Sequence, residues 1–190
     1  PAITQALLTV AECPVFVGVG GGTTTGKRSV QMAAVSEMQG AAGCVVNSPA
    51  TAEMVEHITN IADIPVIATV VRCDDDAHAK VRSGAKILNI AAGKNTPQVL
   101  RELREHYPNL PLIAPGGKTP ESIRETIAAG ANAIIWTPPS AQQLQTDMMQ
   151  RYRKMKEDAT PVISRDDVPI IDQVAAAEVS QVENMNPDVP

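Results

Sequence analysis

The chain has 190 residues and a mass of 20.1 kDa, is 44% hydrophobic and 19% charged, and has room for one globular core with a short appendage. The aromatic residues are few, Phe16, Tyr107, Trp136 and Tyr152, and the net charge is −5, so the stacking platforms and basic surface that a nucleic-acid partner requires are missing. The longest uncharged stretch, 126–146, is broken by Pro138-Pro139 and carries three Gln, which excludes a membrane-spanning helix, and three cysteines without a C-x-x-C pair fit a cytoplasmic protein with reduced thiols.

In chain order, a short apolar helix is predicted over Ile3 to Glu12 and a strand over Val15 to Val19. The next segment, Gly20-Gly21-Gly22-Thr23-Thr24-Thr25-Gly26-Lys27, leads from that strand into a helix. Its backbone N–H groups, hydroxyls and Lys27 suit an anion. Gly21 to Lys27 matches G-x-x-x-x-G-K, but Arg28 stands where a P-loop needs Ser or Thr for magnesium, so nucleotide binding is an alternative reading, beside that of a plain glycine-rich connector.

Further apolar runs follow at Cys44 to Val46, Pro65 to Val71, Ile87 to Ile90, Pro111 to Ala114 and Ala133 to Trp136. Helices are predicted to begin at the cap-type residues Thr51, Asp74, Thr96, Thr119 and Ser140, spaced 23, 22, 23 and 21 residues apart. Gly40-Ala41, Gly84-Ala85 and Gly130-Ala131 close helices and reopen strands. The chain is therefore a parallel βα repeat of the α/β class with about six units, spanning 1–157. An eight-stranded barrel of the triosephosphate isomerase kind and an open doubly wound sheet both suit such a repeat, and six units are two fewer than a standard barrel has.

Both architectures place function at the carboxyl ends of the strands, where the loops and helix N-termini gather. Besides the first loop, this selects Asn47 to Ala50 with Ser48, Arg72 to Asp76, Ala91 to Asn95, Pro115 to Lys118 and Thr137 to Ser140. Gly116, Gly117 and Lys118, just before the helix start at Thr119, form the second anion candidate, with Thr137 and Ser140 beside it one unit later. A tight turn needing glycine is the plainer explanation of the same residues. Arg72 precedes Asp74-Asp75-Asp76, acids that favour a helix N-terminus. His57, His78 and His106 show no ligand spacing and are expected to face solvent, so no metal site and no cofactor are predicted.

Lys86 opens the strand Lys86-Ile87-Leu88-Asn89-Ile90. A Lys inside a parallel sheet is costly unless it is paired or neutral, the condition under which an amine forms a Schiff base; at a solvent-facing amino end it carries no such meaning.

From about Cys13 to Leu144 the order of these pieces resembles phosphate-binding barrels, in particular the 2-keto-3-deoxy-6-phosphogluconate aldolase family. Gly84-Ala85-Lys86-Ile87-Leu88-Asn89 resembles the strand that carries that family's Schiff-base Lys, and Pro111-Leu112-Ile113-Ala114-Pro115-Gly116-Gly117 resembles its phosphate strand. Val45 to Pro49 and Ile64 to Ala68 fit the two strands before the lysine. The resemblance implies a barrel whose strands three to eight are the six found here, with a catalytic Lys86. No residue matches the family's acid/base Glu, which belongs to a strand without a counterpart in this chain. Pro111 to Gly117 and Gly130 to Thr137 are also similar to flavin-dependent barrels and to the glycerol uptake operon antiterminator regulators.

The function expected from these residues is that of an enzyme on a small phosphorylated or carboxylated metabolite, aldolase/lyase- or isomerase-like. A non-catalytic metabolite sensor and a P-loop-like nucleotide binder are the alternatives. From Asp158 onward there are seven acids and one Arg, an acidic tail over 158–190 whose apolar Val168-Pro169-Ile170-Ile171 suits docking on the body or a partner subunit. Bare strand edges and this tail together suggest a homo-oligomer.

Overall fold

The computed structural model describes residues 1–117 and 119–157. Two compact units are present, Pro1–Thr137 and a second that begins at Pro138.

The first unit opens with α1 (Ala2–Val10) and then alternates strand and helix: β1 (Phe16–Gly20), α2 (Lys27–Met38), β2 (Gly43–Val46), α3 (Ala52–Thr59), β3 (Val66–Val70), α4 (Asp75–Arg82), β4 (Ile87–Ile90), a 3-10 turn (Gly93–Asn95), α5 (Thr96–His106), β5 (Leu112–Pro115), α6 (Pro120–Ala128) and β6 (Ala133–Ile135). The second unit contains α7 (Ala141–Glu157), where Ser140 Oγ accepts from Gln143 N at 3.2 Å and Gln143 Oε1 accepts from Ser140 N at 2.8 Å, a reciprocal cap.

Local chemistry sets the unit boundaries. Thr51 Oγ1 accepts from Met54 N, Asp74 Oδ1 from Ala77 N and Thr119 Oγ1 from Ser122 N, each at 3.0–3.2 Å, which satisfies donors that a helix start leaves open. The expected cap at Thr96 differs. The turn Gly93–Asn95 runs directly into α5, so Thr96 is already helical and buried and Asn95 precedes it. At the other ends Gly40, Gly84 and Gly130 have φ of 92, 105 and 107°, and the residue after each donates to the carbonyl five residues back (Ala41 to Ser36, Ala85 to Lys80, Ala131 to Thr126). This is the Schellman closure, which needs a left-handed residue.

The strands form one parallel sheet in the order β1-β2-β3-β4-β5-β6. A doubly wound sheet requires a point where strand order reverses, and none occurs among the described residues, where the sheet is a curled, barrel-like βα repeat. Alternate strand residues, among them Cys44, Val46, Val66, Ala68, Leu88, Ile90, Leu112 and Ala114, join Ala33, Val55, Ile58, Val99, Leu100 and Leu103 of the helices in a single core. Fully buried Leu100 and Leu103 contribute about 2 kcal/mol each by leaving water. The opposite face carries Val45, Ile67, Thr69, Ile87, Asn89 and Ile113 in register across three ladders. Ile67 is fully buried although it stands outside the helix-side core, as expected when a sheet curls and neighbouring strands shield its concave face.

Within that core, burial pushes the Cys44 thiol up from 9.0 to about 11, with Glu37 adding to the rise and a backbone hydrogen bond opposing it. A thiol that holds its proton more tightly when folded stabilises the fold fully below pH 9, and that contribution is lost as pH rises from 9 through 11. Alkaline unfolding monitored by circular dichroism is expected to show a decline in this window that flattens in Cys44→Ala.

Candidate functional site

The expected anion loop after β1 is built on backbone geometry. Gly21 N donates to Thr24 O at 2.9 Å, Ser29 Oγ donates to the same carbonyl at 3.0 Å, and Asn47 N donates to Gly20 O at 2.8 Å. Gly21 has φ 93°, and a Cβ there would stand 2.8 Å from Asn47 N and O, so the loop after β1 and the loop after β2 lie against each other through a glycine. Gly26, with φ 59°, caps α2 without any side-chain hydrogen bond; Ser29 N donates to Gly26 O at 3.0 Å, which leaves the N–H groups of Lys27 and Arg28 open. Thr25, Gly26 and Lys27 form one end of a groove of about 520 Å³ between α2 and α3, whose other walls include Val30, Pro49 and Met54. Gly22, Thr23 and Thr25 are exposed on the same loop and Thr24 is half-buried.

Ser48 enters through its backbone. Its carbonyl accepts from Lys80 Nζ at 2.7 Å, and the same ammonium pairs with Asp76 Oδ2 at 2.7 Å. Lys80 is fully buried, so α4 clamps the loop after β2 with a charge that has no access to water. Sequence reasoning missed Lys80, because an Asp76–Lys80 pair four residues apart reads as an exposed helix pair.

The second anion candidate is more self-contained. Ser122 Oγ donates to Gly116 O at 2.7 Å and Thr119 N donates to Ser122 Oγ at 3.2 Å, so the capping box occupies N–H groups that an anion would use. What it retains is Gly117, with φ 78°, and a cavity of about 370 Å³ in which Lys94 of the 3-10 turn joins Gly116 and Gly117. Lys118 lies outside the described residues, as does the tail 158–190 with Val168 to Ile171. Thr137 is exposed at the end of the first unit, while Ser140 caps α7 in the second.

Arg72 is exposed at the carboxyl end of β3 and lines a third cavity, of about 490 Å³, with Cys73, Asn95, Gln98 and Glu102. The proposed catalytic Lys86 is placed differently from the loops. It precedes Ile87, the first residue of β4, and is exposed at the amino end of the sheet, the end opposite the anion candidates. On the concave wall between, Asn89 Nδ2 donates to Thr69 Oγ1 at 3.2 Å and Asn89 Oδ1 is buried without a partner among the described residues. His78, expected at the surface, is half-buried and in contact with Cys73 and Tyr107. His57 lies exposed on the α2–α3 groove. No group of three or more His, Cys, Asp or Glu able to hold a metal occurs among the described residues, and no helix there is long and apolar enough to cross a membrane.

No family profile and no curated protein matches the sequence. Solved structures do match in fold. Phosphonopyruvate hydrolase superposes with a TM-score of 0.64 at 15% identity over 96% of this chain and 74% of its own. A Burkholderia cenocepacia J2315 protein assigned as a phosphonomutase gives 0.61 at 18% identity over 80% and 77%. Inosine 5' monophosphate dehydrogenase from Legionella pneumophila gives 0.59 at 17% over 70% of this chain and 46% of its own. The chain is thus similar in fold to these solved enzymes, and identities of this size speak to the fold alone.

Proposed function

We propose that the chain is an enzyme of the βα-barrel type that acts on a small phosphorylated or carboxylated metabolite at the strand-end rim, by lyase or isomerase chemistry next to a carbonyl. The observation that carries this reading is the start of α2, where no side chain caps the open N–H groups of Lys27 and Arg28, with Lys27 lining the α2–α3 groove. Open N–H groups and an ammonium attract an anion, and Val30, Pro49 and Met54 accommodate the apolar part of the same molecule. Phosphonopyruvate hydrolase, which shares the fold, is named for an anionic keto acid of this kind. The reading does not require an imine at Lys86, which stands at the far end of the strands. A homo-oligomer that covers the outermost strands β1 and β6 belongs to the same proposal.

Isothermal titration with inorganic phosphate and with a phosphorylated keto acid tests it. Lys27→Gln is expected to weaken both about tenfold, the loss of one charge-assisted contact, while leaving the melting temperature unchanged. Heat of binding absent from the wild-type protein, or equal in the variant, would overturn the assignment.

A further inference from the structure

A second chemical feature lies apart from the anion loops. Cys73, at the carboxyl end of β3, has its Sγ 3.8 Å from His78 Nε2, and His78 Nδ1 is 2.7 Å from the Tyr107 hydroxyl. A nucleophile within reach of a base, with the base oriented by a third group, is the arrangement that activates thiols and hydroxyls for covalent catalysis. We propose that Cys73, His78 and Tyr107 form a nucleophilic relay that adds the Cys73 thiol reversibly to the carbonyl carbon of a small polar aldehyde or ketone.

The surroundings suit that chemistry. Cys73 opens onto the cavity of about 490 Å³ shared with Arg72, Asn95 and Gln98, so a polar molecule reaches the sulfur from the strand-end rim. Burial, and the carboxylates of Glu102, Asp74 and Glu105, raise the thiol above its ordinary value and keep it protonated, so attack needs a base at hand rather than a standing thiolate. His78 supplies that base. In the tautomer whose Nδ1–H donates to Tyr107 Oη, Nε2 keeps a lone pair facing the sulfur. The ring is held further by His106, whose centroid lies 5.0 Å away, and by Tyr107 at 5.6 Å. Arg72, Asp74 and, on α5, Glu102, Glu105 and His106 are the charged and titratable groups around the relay.

In the step itself a bond forms between Sγ and the carbonyl carbon as the C=O π bond breaks. The thiol proton passes to His78 Nε2 and from there to the new alkoxide oxygen. The product is a thiohemiacetal; no group leaves and no oxidant or reductant takes part. Arg72 and the Asn95 amide, on the same cavity wall, offer N–H groups to the alkoxide as charge develops.

The chain contains its own controls, since Cys13 is exposed and Cys44 is buried with a strongly raised thiol. Iodoacetamide alkylation at pH 7, followed site by site by peptide mass mapping, is expected to show Cys73 reacting about tenfold more slowly in His78→Gln and about threefold more slowly in Tyr107→Phe, with the Cys13 rate unchanged in both. With 13C-labelled glyceraldehyde as the probe, a thiohemiacetal carbon resonance is expected in the wild type and its loss in Cys73→Ser. Equal Cys73 rates in the wild type and in a folded Tyr107→Phe or His78→Gln, or no thiohemiacetal resonance in the wild type, would overturn the relay. Phosphate binding at Lys27 is measured separately, so failure of either reading leaves the other standing.

Discussion

Replacing Arg104 with Ala is expected to cost about 3 kcal/mol and to lower the melting temperature by roughly 10 °C, without changing anion affinity at the strand-end loops. The reason is a single guanidinium that closes the amino end of the last units. Nη1 donates to the carbonyls of Tyr107, Pro108 and Leu110 at 3.1, 2.8 and 2.8 Å, and Nη2 donates to Gly130 O at 2.7 Å and Asn132 Oδ1 at 2.8 Å. Asn132 Oδ1 also accepts from Leu112 N at 2.9 Å, so α5, the turn before β5 and the turn before β6 are joined through one side chain. Truncation leaves several carbonyls without a charged donor, and water recovers only the accessible ones. Lysine supplies charge but not the planar fork, so Arg104→Lys is expected to recover less than half of the loss. Thermal denaturation with parallel phosphate titration checks both parts, because Arg104 lies at the opposite end of the strands from Lys27.

Gly21→Ala is expected to be as damaging to stability and far more damaging to binding. Its φ of 93° strains any residue with a side chain by about 1–3 kcal/mol, and the new Cβ would meet Asn47 N and O at 2.8 Å and Ala50 Cβ at 3.0 Å. These are backbone atoms and a short side chain, which have no rotamer to escape into. The loop must separate from Asn47, breaking the bonds Asn47 N to Gly20 O and Gly21 N to Thr24 O that aim it at the α2 N-terminus. A loss of about 3 kcal/mol and more than tenfold weaker phosphate binding are expected, read by melting and by titration. Gly26→Ala tests the contrast: its Cβ position is open, so strain at φ 59° acts there without a clash.

Much of the fold was readable in advance because each βα unit carries its own punctuation. Thr51, Asp74 and Thr119 cap helices by side-chain bonds within three residues, and Gly40, Gly84 and Gly130 end them by local backbone closure. Local interactions do not fix strand order, so the choice between a curled repeat and a doubly wound sheet waited on the ladders. Site residues followed the same division. The glycine and threonine loop after β1 was legible because its conformation is written in its own residues. Lys86 was ambiguous because β4 has four residues, and a start at Ile87 puts the lysine outside the strand at the solvent-facing end. Lys80 reaches Ser48 across 32 residues, His78 meets Tyr107 across 29 and Arg104 meets Asn132 across 28, so no local pattern announces any of the three.

The proposed anion seat lies where the loop after β1 enters α2. Crystals grown in phosphate address it directly. Ordered phosphate is expected within hydrogen-bond distance of the Lys27 and Arg28 N–H groups and of Lys27 Nζ, and is expected to be absent from Lys27→Gln crystals grown alongside. Phosphate found only at Gly116 and Gly117, or no bound anion at either loop, would contradict it.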